Sequence, residues 1–193
     1  IRDDLIQAGA GAFDQMANRA ALSPYGWTIR VPGEEWIASR RPLIDMILRR
    51  RLLALENAQI VQLSVGGLEV SETGGTKRVS GVRLRDGSVV EADFVINATG
   101  RRTKAGDWLL EHGIQPPRET FVNSFVGYAT QYVRLPEGCL KHGVVAISAL
   151  PWPGEHRGVS LFPADNGTYA LAAVGAMRSY PSRDRNEILD FLR

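Results

Sequence analysis

The sequence predicts an α+β protein in which an incomplete α/β portion precedes a mostly antiparallel β-sheet. Three observations predict it. Ile44, Ile47, Leu48, Leu52 and Leu55 recur at helical spacing. Phe94-Val95-Ile96 is continuously apolar, as suits a strand buried on both faces of a parallel sheet. After Pro116-Pro117, runs of strand formers alternate with turn signals, the pattern of antiparallel sheets.

The totals agree with a globular chain and exclude some functions. The 193 residues suffice for one domain or parts of two. Hydrophobic residues make up 44% and charged residues 23%, an ordinary balance. The net charge of +2 gives no electrostatic case for a nucleic-acid partner, which needs a concentrated basic face. Cys139 stands alone, so no internal disulfide forms, and a cytoplasmic protein is expected. His112, His142 and His156 lack ligand spacing, and no metal is expected. No apolar run approaches the ~20 residues that span a bilayer, and no signal peptide is evident. The chain opens on Ile1 and closes in Ser182–Arg193, a starting helix; both ends read as cut from something longer.

The elements follow in order. Residues 1–8 suit a short amphipathic helix with Leu5 and Ile6 inward. Gly9-Ala10-Gly11 reads as its end rather than a phosphate loop, because no strand precedes it and Asp14 stands where the third glycine belongs. Tyr25–Val31 and Trp36–Ala38 are candidate strands. The helix after them has Ser39 as its expected cap and Pro42 in its first turn. Arg49, Arg50 and Arg51 form its polar face, a solvated face in the plain reading and a phosphate contact in the other. Strands are then expected at Gln59–Leu63, Leu68–Glu72, Arg78–Leu84 and Ser88–Asn97, with turns at Gly74-Gly75 and Asp86-Gly87. A short helix at Asp107–His112 ends on Gly113. Strands are expected again at Phe121–Leu135, Val144–Leu150, Gly158–Phe162 and Thr168–Val174, with Asp165-Asn166-Gly167 turning between the last two.

The stretch richest in chemistry is Glu91–Gly100, where a strand ends in Ala98-Thr99-Gly100. Small residues at the carboxyl end of a parallel strand let backbone amides approach a ligand, and Gly100 permits backbone closed to other residues. A tight turn that merely ends a strand reads the same residues equally well.

Longer motifs extend this stretch. Asp93-Phe-Val-Ile-Asn-Ala-Thr-Gly-Arg101 and Trp108-Leu-Leu-Glu-His-Gly113, with Ser39-Arg-Arg-Pro-Leu-Ile-Asp-Met-Ile-Leu-Arg49 and the hairpin Val79–Asp93, resemble flavoprotein monooxygenases of the para-hydroxybenzoate hydroxylase fold. Order and spacing agree across residues 39–113. The resemblance implies an incomplete FAD-binding α/β portion there, part of an FAD-binding domain. It implies a substrate-side segment at 1–38, and a substrate-domain sheet with the start of a helix at 114–193. It implies FAD contacts at Arg41, Val65, Ala98, Thr99 and Gly100, with Arg40 as the alternative to Arg41. A guanidinium suits the first of these because it offers a fork of donors with fixed charge. Arg101, Arg102 and Lys104 are a solvated loop or a nicotinamide-phosphate contact. Phe121, Phe125, Tyr128 and Tyr132 are core residues or line the substrate pocket.

The resemblance further implies that NADPH or NADH reduces FAD, and that a flavin hydroperoxide hydroxylates a small aromatic substrate. The cofactor carries that chemistry, so no catalytic triad is expected. The family's opening GxGxxG loop and its later Gly-Asp motif are missing from this sequence, so these residues alone should bind FAD poorly and, with an unpaired strand edge at Phe94–Ala98, should self-associate. Alternatives are a flavin-dependent reductase or halogenase on the same scaffold, and a β-rich binding module without redox chemistry.

Overall fold

A computed structural model describes residues 1–192, the side chain of Arg185 apart. The chain is mixed α+β, and its sheets are antiparallel except for one pairing. Two compact units emerge: Ile1–Ala58 together with the residues from Val122 onward, and Gln59–Phe121. The second unit is thus an excursion within the sequence of the first.

The first unit begins with α1 (Arg2–Gln7), whose Asp3 and Asp4 sit where the helix dipole favours negative charge. Leu5 is buried as expected, but Ile6 is exposed. Less than two helical turns leave room for one inward position. Gly9 carries φ +95° just past the helix, a conformation glycine adopts freely. Gly11 then opens β1 (Gly11–Asp14), which pairs antiparallel with β4 (Glu35–Ala38) as a separate ribbon.

The main sheet has six strands in the order β3-β2-β9-β10-β11-β8. Their ranges are β2 (Arg19–Ser23), β3 (Gly26–Trp27), β8 (Gly127–Val133), β9 (Ala146–Ala149), β10 (Arg157–Pro163) and β11 (Tyr169–Gly175). β2 and β9 are parallel, with Arg19 opposite Ala146. Asn166 and Gly167 take positive φ between β10 and β11, as the Asp-Asn-Gly turn signal requires. The expected strand at Phe121–Leu135 shrinks to β8, because Phe125 adopts φ 49° and turns the chain before it.

Helix α2 (Arg41–Leu53) carries Pro42 in its first turn, but Ser39 does not cap it; Arg40 holds the cap position with no side-chain bond to the helix. Of its apolar stripe only Ile47 is buried, at 0% exposure, while Leu48, Leu52 and Leu55 remain exposed. The expected inward face is therefore narrow, Ile47 fully buried and Ile44 half-buried. Helix α4 (Arg185–Phe191) is capped by Asp184, whose carboxylate accepts from the amide of Asn186. Arg193, the last residue of the expected terminal helix, lies outside the described residues. Phe13, Ile47, Ala146, Ala173 and Ile188 make the core, with the Phe13 and Phe162 rings 6.3 Å apart.

The second unit is a three-stranded meander, β5 (Val65–Thr73), β6 (Thr76–Leu84) and β7 (Val89–Glu91), with helix α3 (Ala105–Glu111). Gly74 and Gly75 take φ 59° and 78° in the two-residue turn, the glycine-requiring geometry that matches strand twist. A bulge interrupts the β5–β6 register near Ser80. Beside it, a Cβ on Gly81 would meet the Val90 carbonyl at 2.3 Å, so only glycine fits that approach.

Two expectations fail in this unit. Gln59–Leu63 forms no strand. Phe94-Val95-Ile96 lies outside every strand, with Phe94 and Ile96 each 80% exposed. Continuous apolarity signals burial only where neighbouring strands and helices supply it, and among the described residues nothing pairs with this segment.

Candidate functional site

The segment 93–99 borders a trough of about 520 Å³ in the second unit. One wall is the meander, through Val65, Leu68 and Val82; the other is α3, through Trp108 and Leu109. Phe94 and Ile96 line it as well, which explains their apolarity without a strand. At its rim the Arg78 guanidinium donates to the Asp93 carbonyl at 3.4 Å and stands 3.9 Å from the Asp93 carboxylate. Both side chains are exposed, so the pair contributes little.

The turn at residues 97–100 is built by one side chain that the sequence reading passed over. Asn97 Oδ1 accepts from the Thr99 amide at 3.0 Å and from the Thr99 hydroxyl at 2.7 Å. Asn97 Nδ2 donates to Thr103 Oγ1 at 2.6 Å, and that oxygen accepts from the Ala105 amide at 3.1 Å as α3 begins. Asn97-x-Thr99 is the signature of an Asx turn and was open to detection. Gly100 follows at φ +81°, with no atom within 4 Å of where a Cβ would stand. The turn is thus open beside Gly100.

The expected cofactor residues fall into two groups. Val65 and Thr99 line the trough, and Ala98 and Gly100 flank Thr99 in the turn. Arg41 belongs to the first unit, where its side chain is 88% exposed and stands 3.5 Å from Asp45. Arg40 is engaged elsewhere: its Nε donates to Asp165 Oδ1 at 2.5 Å and an Nη to Oδ2 at 3.3 Å. Its guanidinium also lies 5.6 Å from the Tyr132 ring centre. The hydrogen bond from Arg40 holds the Asp165 carboxyl below the usual carboxylate range, and Arg40 in turn holds its proton more tightly. The Asp165 partnership, spanning 125 positions, had no local signal.

Of the other candidates, Arg51 pairs with Asp4 at 2.6 Å, within the first unit. Arg101 stacks 5.9 Å from the Phe121 ring, and Arg178 stacks 4.4 Å from Phe125. Tyr128 and Tyr132 stand exposed on β8. Among the described residues, no group of three or more His, Cys, Asp and Glu gathers to hold a metal, and no helix is long and apolar enough to cross a membrane.

No family model matches the chain. Protein Rv3254 of Mycobacterium tuberculosis is 32% identical over 165 residues, covering 81% of this chain and 34% of its own length. The chain therefore spans about a third of the curated relative it matches. Among solved structures, a four-substitution variant of P. aeruginosa PqsL has the same fold at TM-score 0.66 and 10% identity, over 90% of this chain and 45% of that one. The peptidyl tryptophan dihydroxylase QhpG, essential for tryptophylquinone cofactor biogenesis, aligns at TM-score 0.49 and 17% identity over 97% of this chain and 36% of its own; at that score the likeness carries no argument.

These findings correct the resemblance drawn from residues 39–113. Membership of the para-hydroxybenzoate hydroxylase family is not upheld: no family model matches, and the chain forms small β-rich units that share a fold with PqsL at only 10% identity. The motifs that carried the resemblance are an Asx turn, a hairpin and a helix start, each of which many folds use. What stands is a mixed α+β fold with mostly antiparallel sheets, shared with PqsL.

Proposed function

We propose that these residues belong to a flavin-dependent monooxygenase that uses NADPH or NADH and oxygenates a small organic, aromatic substrate. The observation that carries this reading is the fold likeness to PqsL, an FAD-dependent monooxygenase, across 90% of the chain. Because the chain spans 34% of Protein Rv3254 and 45% of PqsL, the activity is proposed for the whole protein that contains these residues.

Residues of the second unit are compatible with one wall of an FAD site. The Asn97-braced turn leaves Gly100 open to a ligand's approach, and the adjoining trough is mainly apolar, as cofactor sites are. Arg41 offers five donors in a fixed fork to anionic oxygens. No glycine-rich turn leads into a helix N-terminus in this sequence, and none of these residues is proposed as a pyrophosphate cradle. Bound FAD would supply the redox and oxygen chemistry. The chain's own part is to orient it: Thr99 and Gly100 through the shape of their turn, Ala98 by its small size, Val65 by apolar contact, and Arg41 by charge. Residues 39–113 would serve the cofactor, and residues 1–38 and 114–193 the substrate.

The test is to purify the protein as it is made in the cell, record its visible spectrum, and follow NADPH and NADH oxidation with a panel of phenols. Flavin absorption with substrate-stimulated oxidation is expected. A colourless protein that cannot be reconstituted with FAD overturns the reading.

A further inference from the structure

We propose that residues 25–31 are an interface with a second copy of this chain, pairing antiparallel with themselves across the free edge of β3. The inference is independent of the flavin reading.

Strand formers run through Tyr25–Val31, yet only Gly26 and Trp27 form β3. β3 lies at the edge of the six-stranded sheet and pairs with β2 on one side alone. Leu22 stands opposite Trp27, and the Thr28 amide donates to the Ala21 carbonyl at 2.9 Å. Main-chain groups alternate in direction along a strand, so those of Trp27 and Ile29 point away from β2, toward the bare edge. Such an edge is a template for another strand.

The side chains point to the same use. Tyr25 is 99% exposed, Ile29 88% and Trp27 63%, with Val31 close behind at 46%. Together they offer roughly 500 Å² of apolar surface, toward the upper end of what a lone molecule shows. A stable interface takes about 800 Å² from each partner, and the flanking prolines and main chain can supply the rest. The backbone beneath is braced. The Gly33 amide donates to Asp14 Oδ2 at 2.8 Å, and Arg30 Nη1 donates to the Ala17 carbonyl at 3.3 Å. An apolar surface on a braced backbone loses little freedom on binding.

The segment's own symmetry selects a second copy as the occupant. Outward from Thr28, Trp27 matches Ile29, Tyr25 matches Val31 and Pro24 matches Pro32. About a two-fold axis at Thr28, antiparallel pairing sets each large apolar side chain against another. Arg30 then falls opposite the partner's Gly26, so no like charges meet. Trp27 exchanges both main-chain bonds with the partner's Ile29, and Thr28 meets its own copy. Pro24 and Pro32 lack the N–H that would extend the ladder, so the pairing closes as a dimer.

The test is sedimentation velocity at micromolar concentration on the whole protein as made in the cell. Wild type should be dimeric. Ile29→Pro removes an N–H that has no partner among the described residues, and should raise the dimer Kd by about tenfold or more. Trp27→Glu should raise it by about a hundredfold, as loss of a central aromatic anchor does. Cys139 is exposed, so the cross-linking variant carries Cys139→Ser. In it, Thr28→Cys should give a disulfide-linked dimer on mild oxidation, because the Cα atoms of a non-hydrogen-bonded pair lie about 4.5 Å apart, within disulfide reach. Should Trp27→Glu fail to fold, Ile29→Pro and the cross-link carry the test. A monomeric wild type, its patch covered by other residues of its own chain, overturns the inference. So does a dimer that Ile29→Pro leaves intact, or one that Thr28→Cys does not cross-link.

Discussion

The six-stranded sheet and the three-stranded meander reach stability differently. The sheet with its helices buries Leu5, Phe13, Ile47, Ala146, Ala164, Ala173 and Ile188, whereas the meander with α3 buries Leu68 and Leu84 among the described residues. Elsewhere in the second unit, Phe94 and Ile96 lie 80% exposed beside an open trough. The first unit is a core that happens to carry a candidate cofactor arginine. The second is a hydrogen-bonded frame whose apolar side chains await contact. Apolar sequence therefore marks where burial is needed, and it does not say which atoms supply it.

Five substitutions would break or sharpen this contrast. Ile47→Ala should cost about 3 kcal/mol, because a fully buried side chain is lost in close packing. Amide exchange should accelerate in β9, β10 and β11 while the meander keeps its protection; equal acceleration in both units would end the comparison. Leu68→Ala should cost less, about 2 kcal/mol, since the adjacent trough lets the site relax. Denaturant titration followed through Trp108, the tryptophan of the second unit, reads this out.

Arg40→Gln should cost about 1–2 kcal/mol by leaving the buried Asp165 carboxylate without its partner. The pH dependence has a definite sign. The folded carboxyl is depressed below 3.8, so its stabilisation is complete above that value and is lost as the pH falls through the folded pKa. Unfolding midpoints between pH 2 and 5 should therefore fall less steeply in Asp165→Asn than in wild type, and parallel curves would count against the pair. Smallest of all, Phe94→Ser should change stability by no more than about 0.5 kcal/mol. It should lower binding of the dye ANS, and a large loss of stability would mean the segment is buried in solution.

Local signals were the legible ones. The Gly74-Gly75, Asp86-Gly87 and Asp165-Asn166-Gly167 turns, the start of α2 near Pro42 and the end of α3 near Gly113 all depend on backbone preferences within a few residues. β1 escaped notice because Gly11 and Ala12 carry no strand propensity; β4 supplies it, with Ile37 opposite Ala12 and Trp36 opposite Phe13. β2 escaped because its partner β9 lies far along the chain. In the candidate site, the open Gly100 turn was legible, while its brace Asn97 was legible in principle and passed over. The Arg40–Asp165 grip was beyond any local reading, and it separates two arginines that look interchangeable in sequence.

The parallel pairing of β2 with β9 also bears on how the chain is made. Arg19 meets a partner, Ala146, that is translated roughly 125 residues after it. At about 5–20 residues per second, that is a wait of some 6–25 s. During that interval the whole meander emerges, and its hairpins close in microseconds. Within these residues, Gln59–Phe121 is complete before β9 is made, while β2 must wait for its parallel partner.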